Sequence, residues 1–292
     1  MTEAFLKYLQ FEKRVSSNTV TAYETDLRQF SDFLKQSFEL AQPGLADHGM
    51  IRSWIISLAE AKINNRSINR KIACLRSFYK FLLRQEFTTK DPMRKVRILK
   101  TSKRLPSFIK ETEMVALLDA NVFEQTFEGV RDRLMIEMFY ATGIRLSELI
   151  GLQEYKIDFR NNTIKVLGKR NKERIIPFPK TLTPEIRKYI QLKRNEVAAD
   201  SSHLFVTLKG TPCYPALVSR IVKKYLSGIT VSEKKSPHVL RHTYATHLLN
   251  KGAEINAVKD LLGHTSLAAT QVYTHNSMEK LKKIFEQAHP KA

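Results

Sequence analysis

Through most of this 292-residue chain apolar side chains return every three or four positions, and the interruptions divide it. Residues 1–87 read as helix after helix: LKYLQFEKR, then SSNTVTAYETDLRQFSDFLKQ with Ser16, Ser17 and Asn18 as cap candidates, then MIRSWIISLAEAK and RSINRKIACLRSFYKFLLRQ. In the last of these Ile68, Ile72, Leu75, Phe78, Phe81 and Leu82 recur at helical spacing, and Arg66, Arg70, Lys71, Arg76 and Lys80 are expected on the opposite side.

The pattern breaks at DPMRKVRILKTSKRLPSF, which has prolines near both ends and no helical period. Residues 93–107 are therefore expected to be an extended basic linker between a domain of residues 1–92 and one of 108–292. The second domain opens with KETEMVALLDA and with VRDRLMIEMFYATGIRLSELIGL, read as one long helix. TIKVL and ERIIPFP then alternate in the β manner around the turn GKRNK, which predicts a hairpin in a small sheet. Helical spacing returns in LTPEIRKYIQLKRNEV, PALVSRIVKKYLSG, SPHVLRHTYATHLL, EINAVKDLLGH and MEKLKKIFEQA. The expected fold is mainly α with a small antiparallel β-sheet: an N-terminal helical domain followed by an α+β domain.

Charge changes the picture next. Lys and Arg number 49 against 29 Asp and Glu, a net of +20 with a pI near 9.9. Residues 93–107 alone hold six basic residues and no acidic one. A chain this basic is drawn to polyanions, of which nucleic acid is the commonest in a cell. Arg66, Arg70 and Arg76, with Lys95, Lys100 and Lys103 in the linker, are the expected contacts to a DNA backbone, although a basic helix face is also compatible with plain solvation. The two cysteines, Cys74 and Cys213, form no CxxC pair, the N-terminus carries acids, and no apolar run approaches the ~18 residues of a membrane span. A cytoplasmic protein with no membrane association is expected.

The stretch SPHVLRHTYATHLL then raises a chemical question, because it holds three histidines and an arginine while no acid occurs from Lys234 to Ala253. His238 and His242 lie four apart, a spacing that suits zinc. Arg241 between them would repel a cation, and nothing nearby would neutralise it, so no metal is expected. An anion fits better: His238 and Arg241 project to neighbouring positions beside the N–H groups of a helix that starts after Ser236-Pro237. His242 and His247 are expected to be core or supporting residues. Any one of these histidines alone would be read as structural.

The set is more informative than its members. Arg145 in ATGIRLSELIGL, Lys169 in VLGKRNKER, His238 and Arg241 in HVLRH, His264 in LLGHTS and Tyr273 in TQVYTH follow in an order and spacing that strongly resemble the tyrosine recombinase (phage integrase) family. The resemblance covers nearly the whole chain, with SSNTVTAYETDLRQFSDFL and SINRKIACLRSFYKFL similar to that family's core-binding domain. It implies cutting and rejoining of DNA through a phosphotyrosyl link, without metal or other cofactor. Tyr273 would be the nucleophile, and its ordinary pKa of about 10 means it needs activation. His238 would be its acid/base partner, Arg145 and Arg241 would clamp the non-bridging oxygens, His264 would add a hydrogen bond, and Lys169 would protonate the leaving 5′ oxygen. Glu148 would orient Arg145 or its neighbours, or form an ordinary salt bridge.

The chain starts directly in the helical region and ends in NSMEKLKKIFEQAHPKA, which makes it most similar to the compact Xer type that resolves chromosome dimers. That likeness implies a homo- or hetero-tetramer on a double-stranded DNA site, a Holliday junction intermediate, a terminal helix that contacts the next protomer, and as further partners a second Xer-type recombinase and a DNA translocase, acting at the nucleoid. Integron, phage and transposon integrases and type IB topoisomerases share the chemistry.

Overall fold

The computed structural model describes residues 1–101, 107–120, 122–168, 173–197, 201–230 and 234–263. The chain divides into two compact units, Met1–Arg104 and Leu105–Ala292.

In the first unit, helix α1 (Thr2–Lys7) continues through one wider π turn, Tyr8–Glu12, and is followed by α2 (Ser17–Phe38), α3 (His48–Glu60) and α4 (Asn65–Arg84). Ser16, Asp47 and Asn64 each stand one residue ahead of a helix, and their side chains accept the N–H of Thr19, Met50 and Ser67, satisfying donors that no helical carbonyl can reach. Phe5, Phe30, Trp54, Ile72, Leu75 and Phe78 form the core between the helices. Each such side chain contributes on the order of 1.5–3 kcal/mol by leaving water.

One residue of the expected polar side of α4 lies inside. Lys71 is buried, because it stands three residues after Ile68 and four before Leu75 and so shares their stripe. Its Nζ donates to Oδ1 of the fully buried Asp26 at 2.8 Å and also to Gln29, while Arg70 donates to the other Asp26 oxygen. A buried carboxylate in α2 thus holds two cations of α4.

The extended segment after residue 92 lies along the same helix. Met93 and Val96 join the core, and the Asn69 amide both accepts the Leu99 N–H and donates to the Leu99 carbonyl, each at 2.8 Å. Asn65 donates to the Lys100 carbonyl at 2.7 Å and Arg76 to the Val96 carbonyl at 2.9 Å. Lys95 and Lys100 face solvent, and Lys103 lies outside the described residues.

The second unit contains α5 (Glu111–Asp119), α6 (Phe127–Thr142), α7 (Leu146–Ile150), a three-stranded antiparallel sheet of β1 (Ile157–Asp158), β2 (Thr163–Leu167) and β3 (Glu173–Pro177), then α8 (Leu182–Glu196), α9 (Pro215–Ser227), α10 (Pro237–Asn250) and α11 (Ile255–Leu262). Helix α6 is buried on nearly every side, the mark of a central helix, and it packs against α8, α9 and α10. The hairpin register pairs Ile164 with Ile176 and Val166 with Arg174.

The long helix expected from VRDRLMIEMFYATGIRLSELIGL is two helices. Gly143 stops α6 in the left-handed region, φ 59°, with its N–H on the Phe139 carbonyl. A Cβ there would also strike the ring of Tyr244, so two constraints favour glycine at this position. The break places Arg145 in extended backbone immediately ahead of α7.

Candidate active site

Three guanidinium groups and one carboxylate meet where α7, β3, α10 and the end of α11 converge. Glu148 is the hub, with its side chain only 1% exposed. Its Oε2 accepts the main-chain N–H of Arg145 at 2.8 Å, and its Oε1 accepts Nη1 of Arg145 at 2.8 Å and Nη1 of Arg174 at 2.5 Å. The spacing of three residues between Arg145 and Glu148 spans the start of α7, so one carboxylate satisfies a helix-terminal N–H and fixes the side chain preceding it. Burial pushes the Glu148 carboxyl up, but Arg174 and both groups of Arg145 outweigh it and hold the pKa below the ordinary value. Glu148 is therefore a carboxylate at neutral pH.

The arginines also grip main-chain carbonyls. Arg145 Nη2 donates to the Gly263 carbonyl at 2.8 Å, while Arg241 donates to the Leu262 carbonyl at 2.6 Å and to that of Gly143. Two of these carbonyls end α11, where the helix dipole favours cations. Arg241 is buried, and burial first, then the nearby charges of Arg145 and Arg174, pull its pKa down to about 9. It remains a cation at pH 7, in a group that carries one carboxylate for three guanidiniums. Such a cluster favours an anion.

Helix α10 supplies the adjoining wall. Pro237 occupies its first position and Ser236 precedes it in extended backbone. His238, Arg241 and His242 line a pocket of about 370 Å³ together with Ser107, Lys234 and Ser236. His238 is exposed. His242 is held below its ordinary pKa by burial and by His238. His247 points elsewhere: it is buried, with Nδ1 against the Tyr140 hydroxyl and Nε2 against the Ile109 carbonyl, both at 3.0 Å. A single arrangement satisfies both contacts, with Tyr140 O–H donating to Nδ1 and Nε2–H donating to Ile109. Thr243, one turn earlier, accepts the Ile109 N–H at 3.0 Å.

The structure thus brings Arg145, Glu148, His238 and Arg241 to one region. Lys169 falls between β2 and β3, and His264 and Tyr273 follow Gly263; all three lie outside the described residues. Arg174 and Lys234 had not been singled out from the sequence. The signal for Arg174 was present in ERIIP, where strand alternation puts it on the inward face with Ile176, an unusual place for an unpartnered charge. Among the described residues no group of three or more His, Cys, Asp or Glu is placed to hold a metal ion, and no helix is long and apolar enough to cross a membrane.

Comparison with known proteins accords with this site. The pattern of the Phage integrase family matches residues 107–280, and that of the Phage integrase N-terminal SAM-like domain matches residues 2–86. The tyrosine recombinase XerC of Chlorobaculum tepidum is 38% identical to it, the alignment covering 99% of this chain and 94% of that protein.

The chain belongs to the phage integrase family of tyrosine recombinases.

As a tyrosine recombinase it is an enzyme that cuts and rejoins DNA. The tyrosine recombinase XerD of Staphylococcus saprophyticus is 34% identical over 99% of this chain and 98% of its own length. The solved structure of the XerH site-specific recombinase, bound to a palindromic difH substrate after cleavage, shares the fold with a TM-score of 0.73 at 19% identity, over 97% of this chain and 83% of that one. The mainly helical architecture with a small antiparallel sheet is that of this family.

Proposed function

We propose that this recombinase is of the Xer type, exchanging strands at a specific double-stranded DNA site through a 3′-phosphotyrosyl intermediate and a Holliday junction, and that its cellular role is resolution of chromosome dimers. The observation that carries the catalytic part is the buried cluster of Arg145, Arg174 and Arg241 around the single carboxylate of Glu148. Cleaving a phosphodiester requires positive charge where the phosphate gains negative charge in the transition state. Fixed guanidiniums supply it without a metal.

In this reading Tyr273 attacks the phosphorus and keeps the 3′ phosphate as an ester, so the bond energy is retained for rejoining. Arg145 and Arg241 hold the non-bridging oxygens, with His264 adding a hydrogen bond. His238, exposed on the first turn of α10, exchanges the proton of the tyrosine hydroxyl, and Lys169 gives one to the departing 5′ oxygen. The first unit binds the DNA core site, with Arg66, Lys95 and Lys100 directed to phosphates. Arg70 and Arg76 contribute there only by exchanging the contacts they make with Asp26 and the Val96 carbonyl. Four protomers, of this chain alone or with a second Xer-type recombinase, assemble on two sites through the terminal helix. A DNA translocase acts on the assembly in the cytoplasm, at the nucleoid.

A nicked suicide substrate tests the reading. The wild-type protein should accumulate a covalent protein–DNA adduct in the presence of EDTA, and Tyr273→Phe should bind the same DNA and form none. An adduct that persists in Tyr273→Phe removes Tyr273 as the nucleophile, and loss of activity in EDTA removes the metal-free mechanism.

A further inference from the structure

Resting on the reading just given, the geometry points to Arg174 as a positioning residue of the cleavage site. We infer that it takes part of the charge of Glu148 and so leaves Arg145 the field an incoming phosphate needs.

Glu148 could pair with Arg145 alone, since both its oxygens already accept hydrogen bonds from that residue. A buried one-to-one pair of this kind would be electrically nearly neutral, and the field at the pocket would come mainly from Arg241. Arg174 changes that balance. Its Nη1 meets the same Oε1 as Arg145 Nη1, so the one carboxylate is divided between two guanidiniums and the group of four keeps a formal charge of +2. The shared oxygen also fixes where the Arg145 fork lies, because a carboxylate pulled from two sides has little freedom to turn.

Arg174 is placed for this by two backbone features. Strand alternation turns it inward opposite Val166, and Gly263 leaves room above it: a Cβ on Gly263 would lie 2.8 Å from Cδ of Arg174 and 3.1 Å from Nε and Nη1. The Gly263 carbonyl is in turn the acceptor of Arg145 Nη2. Arg174 therefore supports Arg145 through Glu148 while packing against the turn whose carbonyl Arg145 holds. It carries nothing to the reacting atoms itself.

Single-turnover cleavage of a suicide substrate by R174Q, R174K, E148Q and the double variant R174Q/E148Q tests the inference, with gel-shift binding and thermal melting of each protein measured beside it. R174Q, which removes the charge, should cleave about tenfold to a hundredfold more slowly than the wild type, with its affinity for the site changed far less. R174K, which keeps a cation, should regain most of that loss. The effects of R174Q and E148Q should be strongly non-additive, because each removes one end of the same interaction.

Cleavage by R174Q within about twofold of the wild type, or an additive cycle with E148Q, overturns the inference. So does a folded R174K that is as slow as R174Q, because that outcome assigns Arg174 to packing alone. Should R174Q not fold, R174K decides: near-normal cleavage supports the role and a tenfold loss ends it. Tyr273→Phe runs in parallel, so failure of the recombinase reading, seen as an adduct without Tyr273, stays distinct from failure of the role given to Arg174.

Discussion

Replacing Glu148 by glutamine separates the two effects of that carboxylate, because it should weaken the folded protein and strengthen its hold on anions. The side chain is nearly fully buried and accepts three hydrogen bonds, two of them from guanidiniums. Glutamine keeps the size and one carbonyl acceptor but removes the charge, leaving three buried or half-buried guanidiniums with a formal +3 in place of +2. Breaking a buried ion pair by removing one partner costs about 3–5 kcal/mol, a large part of the roughly 5–15 kcal/mol that a domain has. Unfolding of the second unit is best followed by hydrogen exchange in α6 and α8, since the single tryptophan, Trp54, belongs to the first. Inorganic phosphate should then restore more stability to E148Q than it adds to the wild type, where saturation to a hundred times Kd would contribute about 2.7 kcal/mol. The pH dependence has a definite sign. The folded pKa of Glu148 lies below its ordinary 4.5, so its contribution is complete above that value and is lost as the pH falls through the folded pKa; E148Q should lack this component of acid destabilisation. If E148Q lies within about 1 kcal/mol of the wild type, or gains no more from phosphate, the charge-balance argument for this cluster is wrong.

Other outcomes follow from single contacts. His247 is held neutral by burial, its pKa below 6.5, so stability should fall as the pH drops from 6.5 through the folded pKa, and His247→Gln should remove that slope in a pH series of urea melts. Asp26→Asn strips the charge facing Lys71 and should cost about 3–5 kcal/mol, visible in fluorescence because Lys71 Nζ lies 5.8 Å from the Trp54 ring. Arg66→Ala should lower the salt dependence of DNA binding by about one phosphate contact, whereas Arg70→Ala should lower the urea midpoint with less effect on that slope, Arg70 being engaged by Asp26. Equal slopes for Arg66→Ala and the wild type would remove Arg66 from the DNA face. Gly143→Ala should lower the melting temperature and slow cleavage, since it strains φ 59° and forces the Tyr244 ring away from a carbonyl that Arg241 uses.

The helices were legible wherever an apolar stripe was continuous, as in α2, α4 and α9, because burial of one face is what produces the pattern. Periodicity could not show the break at Gly143, since the apolar spacing runs on into α7 while the left-handed turn belongs to one residue. Lys71 was assigned to the outer side for its charge, though its phase put it on the stripe; the partner that makes its burial tolerable, Asp26, is 45 residues away. The same limit hid Arg174. Arg145, His238 and Arg241 carry motif words around them, whereas Arg174 gains its meaning from Glu148, 26 residues earlier, across a fold that brings β3 against α7.

The anchoring of Arg145 and Arg241 on the carbonyls of Gly143, Leu262 and Gly263 bears on how this protein can change over generations. A carbonyl is the same whatever side chain its residue carries, so most of the scaffold beneath the two arginines is insulated from substitution. Drift at Leu262 can repack the neighbourhood while leaving the acceptor in place. The exceptions are Gly143 and Gly263, whose left-handed backbones aim those carbonyls and whose missing side chains admit Tyr244 and Arg174. Evolution can thus retune the surface that faces DNA while only a few positions have to stand still.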